Sequence, residues 1–353
     1  MAISIPSVFR MIFIGAIGFG LVGAAPQKEP YSVNLYLHAQ RFVDIGGRRM
    51  NIICSGNGSP TVILDAGLGA DSTAWRLVHP EVEHHTRVCA YDRAGMGFSD
   101  PTTSPRDAAA VAGDLHALLR GARISPPYVL VGWSSAGLYT RLYADRYPND
   151  VVGLVEIEPM SEYEEERIAK IEPALPRLIR NRNKQLEECA VNVSRGKCAF
   201  YPGLAGNRRQ LRAFGCPQVD PQDCAVAEVA AEHMSRTPFW RDYALEAEAL
   251  TKSAADVRAE QRPYGDLPLI VLTESEQGDL QENKTGNDPI PVAQQRAAWR
   301  EHKYLNDKIA ELSSRGTNRV IAGSQHSIPL DHPAAVVSAV NEVVDEARYN
   351  AHQ

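Results

Sequence analysis

Apolar residues in this chain gather into short runs separated by stretches with helical spacing. Thr61–Ala66, Thr86–Tyr91, 128–133, Val151–Glu158, Pro268–Thr273 and Arg319–Ala322 are each of strand length. Short, largely unbroken apolar runs are the pattern of strands covered on both faces. Ahead of them, Arg41–Ile45 and Met50–Cys54 flank Gly46-Gly47, which predicts a β-hairpin. Residues 106–121, 292–314 and 333–348 read as helices, and 274–290 as a polar loop. A further helix is expected after Asp71-Ser72, and another directly after Ser134, with Leu138, Leu142 and Tyr143 on one face. From 160 to 264 no strand-like run occurs; helical segments are expected at Glu162–Lys170, Arg177–Glu188, Ala225–Met234 and Arg241–Ala259. Strands alternating with helices predict an α/β fold, a mostly parallel sheet with helices on both faces. The core would comprise 41–159 and 265–350, with 160–264 inserted as a helical block.

The first residues depart from this pattern. Arg10 precedes an apolar run, Met11–Gly23, and then Ala24-Ala25-Pro26. A basic start, a short apolar stretch and small residues at its end describe a secretory signal over 1–24, with Val22 and Ala24 at the −3 and −1 cleavage sites. A run of about thirteen residues is short of the roughly 20 needed to span a bilayer, so no stable membrane span is expected after signal removal. The expected location is secreted or periplasmic. Six cysteines agree with export: Cys54, Cys89, Cys189, Cys198, Cys216 and Cys224 are even in number and lack CxxC spacing. Asn192-Val-Ser194 and Asn283-Lys-Thr285 match the N-glycosylation pattern, which matters only in a host that glycosylates. The net charge of −6, with no Lys/Arg-rich run, argues against nucleic acid as a partner.

The chemistry centres on Val129-Leu-Val-Gly-Trp-Ser-Ser-Ala-Gly-Leu138, an apolar strand turning sharply into a helix with Ser134 at the apex. A nucleophilic serine must sit on a strained turn, so the residues two before and two after it must be small. Gly132 and Ala136 meet that need. The Ser135 amide opens a helix, where unpaired N–H groups and the dipole favour a developing negative charge. The alternative is a buried strand followed by a Ser-rich helix cap. Against it, the Gly67–Gly69 loop, the serine turn, Glu158 and the His326 loop all fall at strand carboxyl ends, where such sheets bind ligands.

These residues resemble the α/β-hydrolase superfamily. The resemblance runs from about 41 to 348 outside the insert and rests on four motifs in order: Ala66-Gly-Leu-Gly69, Tyr91–Asp100, Gly132-Trp-Ser-Ser-Ala-Gly137 and Gly323–Pro333. It implies an eight-stranded sheet with 160–264 as a cap over the site, Ser134 as nucleophile, His326 as general base, and the amides of Leu68 and Ser135 as oxyanion hole. An imidazole must take the serine proton and be oriented by a carboxylate, which agrees with these roles. Asp92 and Arg93 match a structural motif and are expected to order their loop. By the family's strand order Cys54 and Cys89 would face each other; three pairings stay open for the cap cysteines, the local one being Cys189–Cys198 with Cys216–Cys224. Trp133, Met160, Phe239 and Trp240 are candidates for an apolar pocket or for packing. His84, His85, His116 and His332 lack metal spacing and read as structural or surface residues.

Two places compete for the triad acid. The family most often uses the loop after the strand at 268–273, where Glu274, Glu276 and Asp279 are available but Gln277 stands near the expected acid. The other place is the end of the strand beside the serine strand, where Glu158 closes an apolar run before Pro159. Glu158 is the first choice and Asp279 the alternative. The expected function is a secreted serine hydrolase cleaving a small-molecule carboxylic ester through an acyl-enzyme, without metal or organic cofactor. Family members with an aspartate nucleophile, haloalkane dehalogenases and epoxide hydrolases, are disfavoured by Ser134. A peptidase of the proline-iminopeptidase kind, or a non-catalytic binding protein on the same scaffold, remains an alternative.

Overall fold

The computed structural model describes residues 34–195, 198, 221–282 and 291–351. The leader expected over 1–24, Cys216 and the Asn283 sequon lie outside these residues, as do the side chains of Cys224 and Asp279. The apolar runs pair into one sheet. Its strands are Arg41–Asp44 (β1), Arg49–Ser55 (β2), Thr61–Asp65 (β3), Val88–Tyr91 (β4), Tyr128–Trp133 (β5), Val151–Ile157 (β6), Leu269–Glu274 (β7) and Thr317–Ile321 (β8). Their order is β1-β2-β4-β3-β5-β6-β7-β8, antiparallel where β1 meets β2 and β2 meets β4, and parallel elsewhere.

Every residue of β3, β4, β5 and β7 is buried, which explains why those runs show no alternation: each face has its own apolar layer. On one side Ile63, Leu130, Leu154 and Val271 pack with Leu115 and Leu118 of α1 (Ala108–Gly121). On the other, Val62, Val129, Val131 and Val155 pack with Trp75 and with Val340, Val343 and Val344 of the final helix, Pro333–Ala351. β8 differs because it is the sheet edge. It starts two residues before the apolar run expected at Arg319–Ala322, and it keeps polar side chains: Arg319 donates to Glu342 of the final helix, and Asn318 accepts from the Thr273 hydroxyl of β7.

After β5 comes α2 (Ala136–Arg146). Between β6 and β7 the described residues form helices only: α3 (Glu164–Ile171), α4 (Leu175–Asn192), a one-turn piece at Val193–Arg195, α5 (Pro221–Met234), α6 (Thr237–Glu248) and α7 (Leu250–Glu260). The single helix expected over Arg241–Ala259 is two. The chain breaks at Ala249 because the halves serve different surfaces, α6 lying along α4 and α7 against α1 and α2. The polar stretch expected as a loop after β7 holds α8 (Glu276–Glu282), whose Gly278 N–H is accepted by the Ser275 hydroxyl at 3.0 Å. Helix α9 (Val292–Ala310) follows, shorter than expected. After Asp71 the expected helix is two short pieces, a 3-10 turn at Ser72–Trp75 and a one-turn helix at His79–Val82. Leu68, Leu138, Leu142 and Met160 pack directly with Phe239, Trp240 and Tyr243 of α6, so the helical block is seated over the carboxyl ends of the strands.

Two disulfides join the described cysteines. Cys54–Cys89 lies between residues directly opposite each other on β2 and β4, and Cys189–Cys198 ties the end of α4. The first closes a loop of sequence separation 35. Replacing Cys54 and Cys89 together by Ala should lower the unfolding free energy by about 2–4 kcal/mol, chiefly by freeing the unfolded chain. Urea titration of both proteins checks this; an unchanged midpoint contradicts it.

Candidate active site

Ser134 joins β5 to α2 with φ +61°, a left-handed conformation that side-chain-bearing residues seldom adopt. Close packing enforces it. A Cβ on Gly132 would lie 2.6 Å from the Thr140 hydroxyl and 3.0 Å from the Ala136 carbonyl, so the strand can meet the helix this closely only without a side chain there. The Ser134 N–H donates to Ile157 O at 2.9 Å, and its carbonyl accepts from Gly137 and Met160 at 3.0 and 2.9 Å. Ser135 is the N-cap of α2 and makes no side-chain capping bond; Gly137 and Leu138 donate their amides to the carbonyls of Ser134 and Ser135, and no capping side chain competes for the amides of Ser135 and Ala136.

The loop after β3 passes across the serine: a Cβ on Gly67 would stand 3.2 Å from Ser134 Cβ. This brings the start of the Gly67–Gly69 loop against Ser134. Arg93 holds the loop from below. Its guanidinium donates to the carbonyls of Ala66 and Gly67, to Asp65 Oδ1 at 2.7 Å and to Glu246 Oε1 at 2.7 Å. Burial opposes the charge on Arg93, but the carboxylates of Glu246 and Asp65 outweigh it. Arg93 thus orders more than its own loop, since Glu246 belongs to α6. Asp92, by contrast, ties its own neighbourhood, accepting from Asn51, Ser72 and Phe98.

Glu156 and Glu158 lie two apart at the end of β6, where a continued strand would send both the same way. They go to different places because Glu158 has φ +46°. Glu156 stays under α2: the Thr140 hydroxyl donates to its Oε1 at 2.8 Å, and Arg141 stands 3.9 Å away. Burial pushes its acid up to about 8, with Arg141 and Thr140 only partly opposing. Glu158 instead turns toward β7 and beyond. Its Oε1 accepts the Glu274 N–H at 2.5 Å, and its Oε2 lies 3.4 Å from His326 Nδ1 and 3.2 Å from His302 Nε2. Burial alone would push this carboxyl up, but His302 and then His326 outweigh it and hold it down at about 2. His326 is placed by its own carbonyl, which accepts the indole N–H of Trp133, the residue beside Ser134, at 3.0 Å.

Of the other carboxylates weighed for the acid, Glu274 contributes its main-chain N–H to Glu158, and Glu276 lies 3.5 Å from Arg296. Phe239, Trp240 and Tyr243 form an aromatic group with ring centroids 5.2–5.9 Å apart, and Tyr243 covers the loop so closely that a Cβ on Gly69 would come within 2.8 Å of its ring. His85 pairs with Asp345, His116 stacks on Tyr147 and His332 lies beside Asp331. Among the described residues no group of three or more His, Cys, Asp or Glu side chains is arranged to hold a metal. Sequence reasoning missed His302 and Glu246. The one available signal for His302 was that it shares the buried face of α9 with Ala298, Leu305 and Ile309.

Comparison with known proteins agrees with this architecture. The model of the alpha/beta hydrolase family matches residues 62–339, and the chain belongs to that family. The uncharacterized protein YqjL of Bacillus subtilis (strain 168) is 23% identical over 288 residues, spanning 82% of this chain and 85% of that protein. Several other curated relatives are matched over at most 36% of their own length. Among solved structures, a thermophilic esterase from Thermogutta terrifontis superposes with TM-score 0.56 at 19% identity, covering 85% of this chain and 94% of that one. The enol-lactonase from Burkholderia xenovorans LB400 superposes with TM-score 0.54 at 18% identity, covering 86% and 100%. At these identities the structural likeness establishes the fold.

The Glu156 acid has a consequence for stability. Unfolded, it releases its proton near 4.5; folded, it keeps it to about 8. Between these values the native state binds more protons, so its contribution to stability falls as pH rises. Glu156→Gln keeps the shape without the titration. Across that window the wild type should lose stability relative to the variant by on the order of a few kcal/mol. Thermal melts of both proteins check it; parallel curves would mean that Glu156 is ionised when folded.

Proposed function

We propose that this protein is a serine hydrolase that cleaves carboxylic esters through an acyl-enzyme on Ser134. The observation that carries the reading is Ser134 on its strained turn, with His326 anchored to the adjacent Trp133 and Glu158 facing that imidazole's Nδ1. His326 would take the hydroxyl proton through its other ring nitrogen as Ser134 Oγ bonds to the ester carbonyl carbon. The carbonyl oxygen, now an anion, would sit against the amides of Leu68 and Ser135. Collapse breaks the bond to the alcohol oxygen, which leaves with the proton from His326. Water, deprotonated by the same imidazole, then releases the acid and restores the serine. Glu158 holds the ring and balances the imidazolium. A serine rather than an aspartate at the apex of the turn supports an ester substrate over a halide or an epoxide. Phe239, Trp240 and Tyr243, packed near the oxyanion loop, favour an apolar acyl or alcohol group.

A fluorophosphonate probe should label the wild type on Ser134 and leave Ser134→Ala unlabelled. Ser134→Ala and His326→Ala should each remove most ester turnover with the fold intact, and the double variant should be little worse, since these residues act as a unit. Glu158→Gln should cut kcat by orders of magnitude, whereas Asp279→Asn should be mild. Turnover should fall on the acid side, since general-base catalysis needs the base unprotonated. A panel of p-nitrophenyl esters of rising chain length, run beside aminoacyl anilides, measures all of this. Near-wild-type turnover in Ser134→Ala would end the proposal, and anilides outrunning esters would make the protein a peptidase.

We further infer export through the leader over 1–24. The two disulfides support an oxidising compartment, and among the described residues no helix is long and apolar enough to cross a membrane. N-terminal sequencing of the mature protein should begin at Ala25; a chain starting at Met1 contradicts it.

A further inference from the structure

Glu158 has two histidines on one oxygen, and the proposed mechanism uses only one of them. His302, on α9, is buried, with Nε2 3.2 Å from Glu158 Oε2 and Nδ1 3.7 Å from Glu164 Oε1 on α3. His326 Nδ1 stands slightly farther from the same Glu158 oxygen, at 3.4 Å. The two imidazoles therefore share one carboxylate. We propose that His302 is a positioning residue of the active site: as a cation between Glu158 and Glu164 it takes part of the triad carboxylate's charge and so limits how readily His326 becomes protonated. The proposal rests on the Ser134–His326–Glu158 reading and adds a fourth side chain to it.

Acids approach His302 from two elements. From β6 it faces Glu158, from α3 Glu164, and across Glu158 it faces His326. Glu274 of β7 is turned to this region through its backbone, with its N–H on Glu158 and its carbonyl accepting Trp299 Nε1 at 3.1 Å. On its own helix the Asn306 amide lies 3.2 Å from Nε2 and donates to the Thr273 hydroxyl at 3.0 Å. Elsewhere on α9 and α8, Lys303 pairs with Asp307, Glu301 with Arg167 and Glu276 with Arg296. Two carboxylates thus face the His302 imidazole, one of them shared with His326. Burial disfavours the charge on His302, but Glu158 and Glu164 outweigh it and carry the group well above its ordinary range. The Ser161 N–H, donating to Glu164 Oε2 at 3.0 Å, fixes the outer end of the chain.

The chemical consequence has a definite sign. A positive His302 on the far side of Glu158 repels a proton arriving on His326, so the base stays free to lower pH than it would beside an unshared carboxylate. Removing the charge but keeping a donor, as in His302→Gln, gives Glu158 wholly to His326 and should move the acid limb of kcat/KM upward by about one pH unit. A merely structural His302 would lower kcat or stability and leave the limb in place.

The experiment reads ring-nitrogen resonances by NMR in the substrate-free protein beside the kinetic profile. In the wild type, His302 should carry both ring protons at pH 8, and in folded His302→Gln the His326 titration should move up with the kinetic limb. A neutral His302 at pH 8 overturns the proposal even if the variant fails to fold, as does an unmoved His326 titration in a folded variant. Because these signals need no turnover, failure of the hydrolase reading, seen as activity retained in Ser134→Ala, is told apart from failure of this one.

Discussion

A left-handed backbone at Ser134 is the constraint to which the surrounding structure is fitted. An amino acid with a side chain resists that conformation at a cost on the order of 1–3 kcal/mol, and the neighbouring contacts have to outweigh it. Gly132 and Gly137 let Thr140, Pro159 and Glu156 close in around the turn, and main-chain bonds from Ile157 and Met160 tie it to β6 and the residues beyond. Glu156 then has to fit beneath a helix start with no room for a hydrated anion, which is why its acid stays neutral. One dihedral angle therefore reaches through the helix, the next strand and a buried carboxyl.

A second left-handed residue, Glu158, does complementary work. The strand that supports the serine turn also supplies the carboxylate, and the turn after Ile157 separates two glutamates that periodicity would have put together. Neutral Glu156 stays with the packing, and ionised Glu158 goes to the histidines. Two side chains of the same type end in opposite charge states within one strand end. The cause is the set of partners: a hydroxyl and a distant guanidinium for one, two imidazoles and an amide for the other.

The interior of the sheet was legible because burial on both faces leaves an unbroken apolar run; β3, β5, β6 and β7 fall within two residues of where those runs lie. Ser134 and Glu158 drew notice because each stands as a polar residue at the end of such a run, and His326 because its loop follows the last run. β8 was read less well, since an edge strand keeps polar residues that blur the run. The break at Ala249 was hidden because helical spacing continues across it while the surface being covered changes. His302 was missed for a related reason: on the buried face of an amphipathic helix a histidine looks like packing. Its partner Glu158 is 144 positions away by number, and only the fold brings them together. Glu246 was equally invisible, because nothing local marks a glutamate on a helix as the counter-charge of an arginine 153 residues earlier.

That last pair bears on how this enzyme class diversifies. Helical inserts over a shared sheet are natural units to exchange, since the sheet folds around its own two apolar layers. Here the insert is not an independent unit, because Glu246 supplies one of the carboxylates that keep Arg93 charged, and Arg93 in turn holds the carbonyls of Ala66 and Gly67. A foreign insert lacking an acid at that point would leave a buried guanidinium with Asp65 as its remaining carboxylate beneath the Gly67 loop. Recombination of this scaffold is therefore restricted by electrical neutrality under the insert as much as by the shape above it.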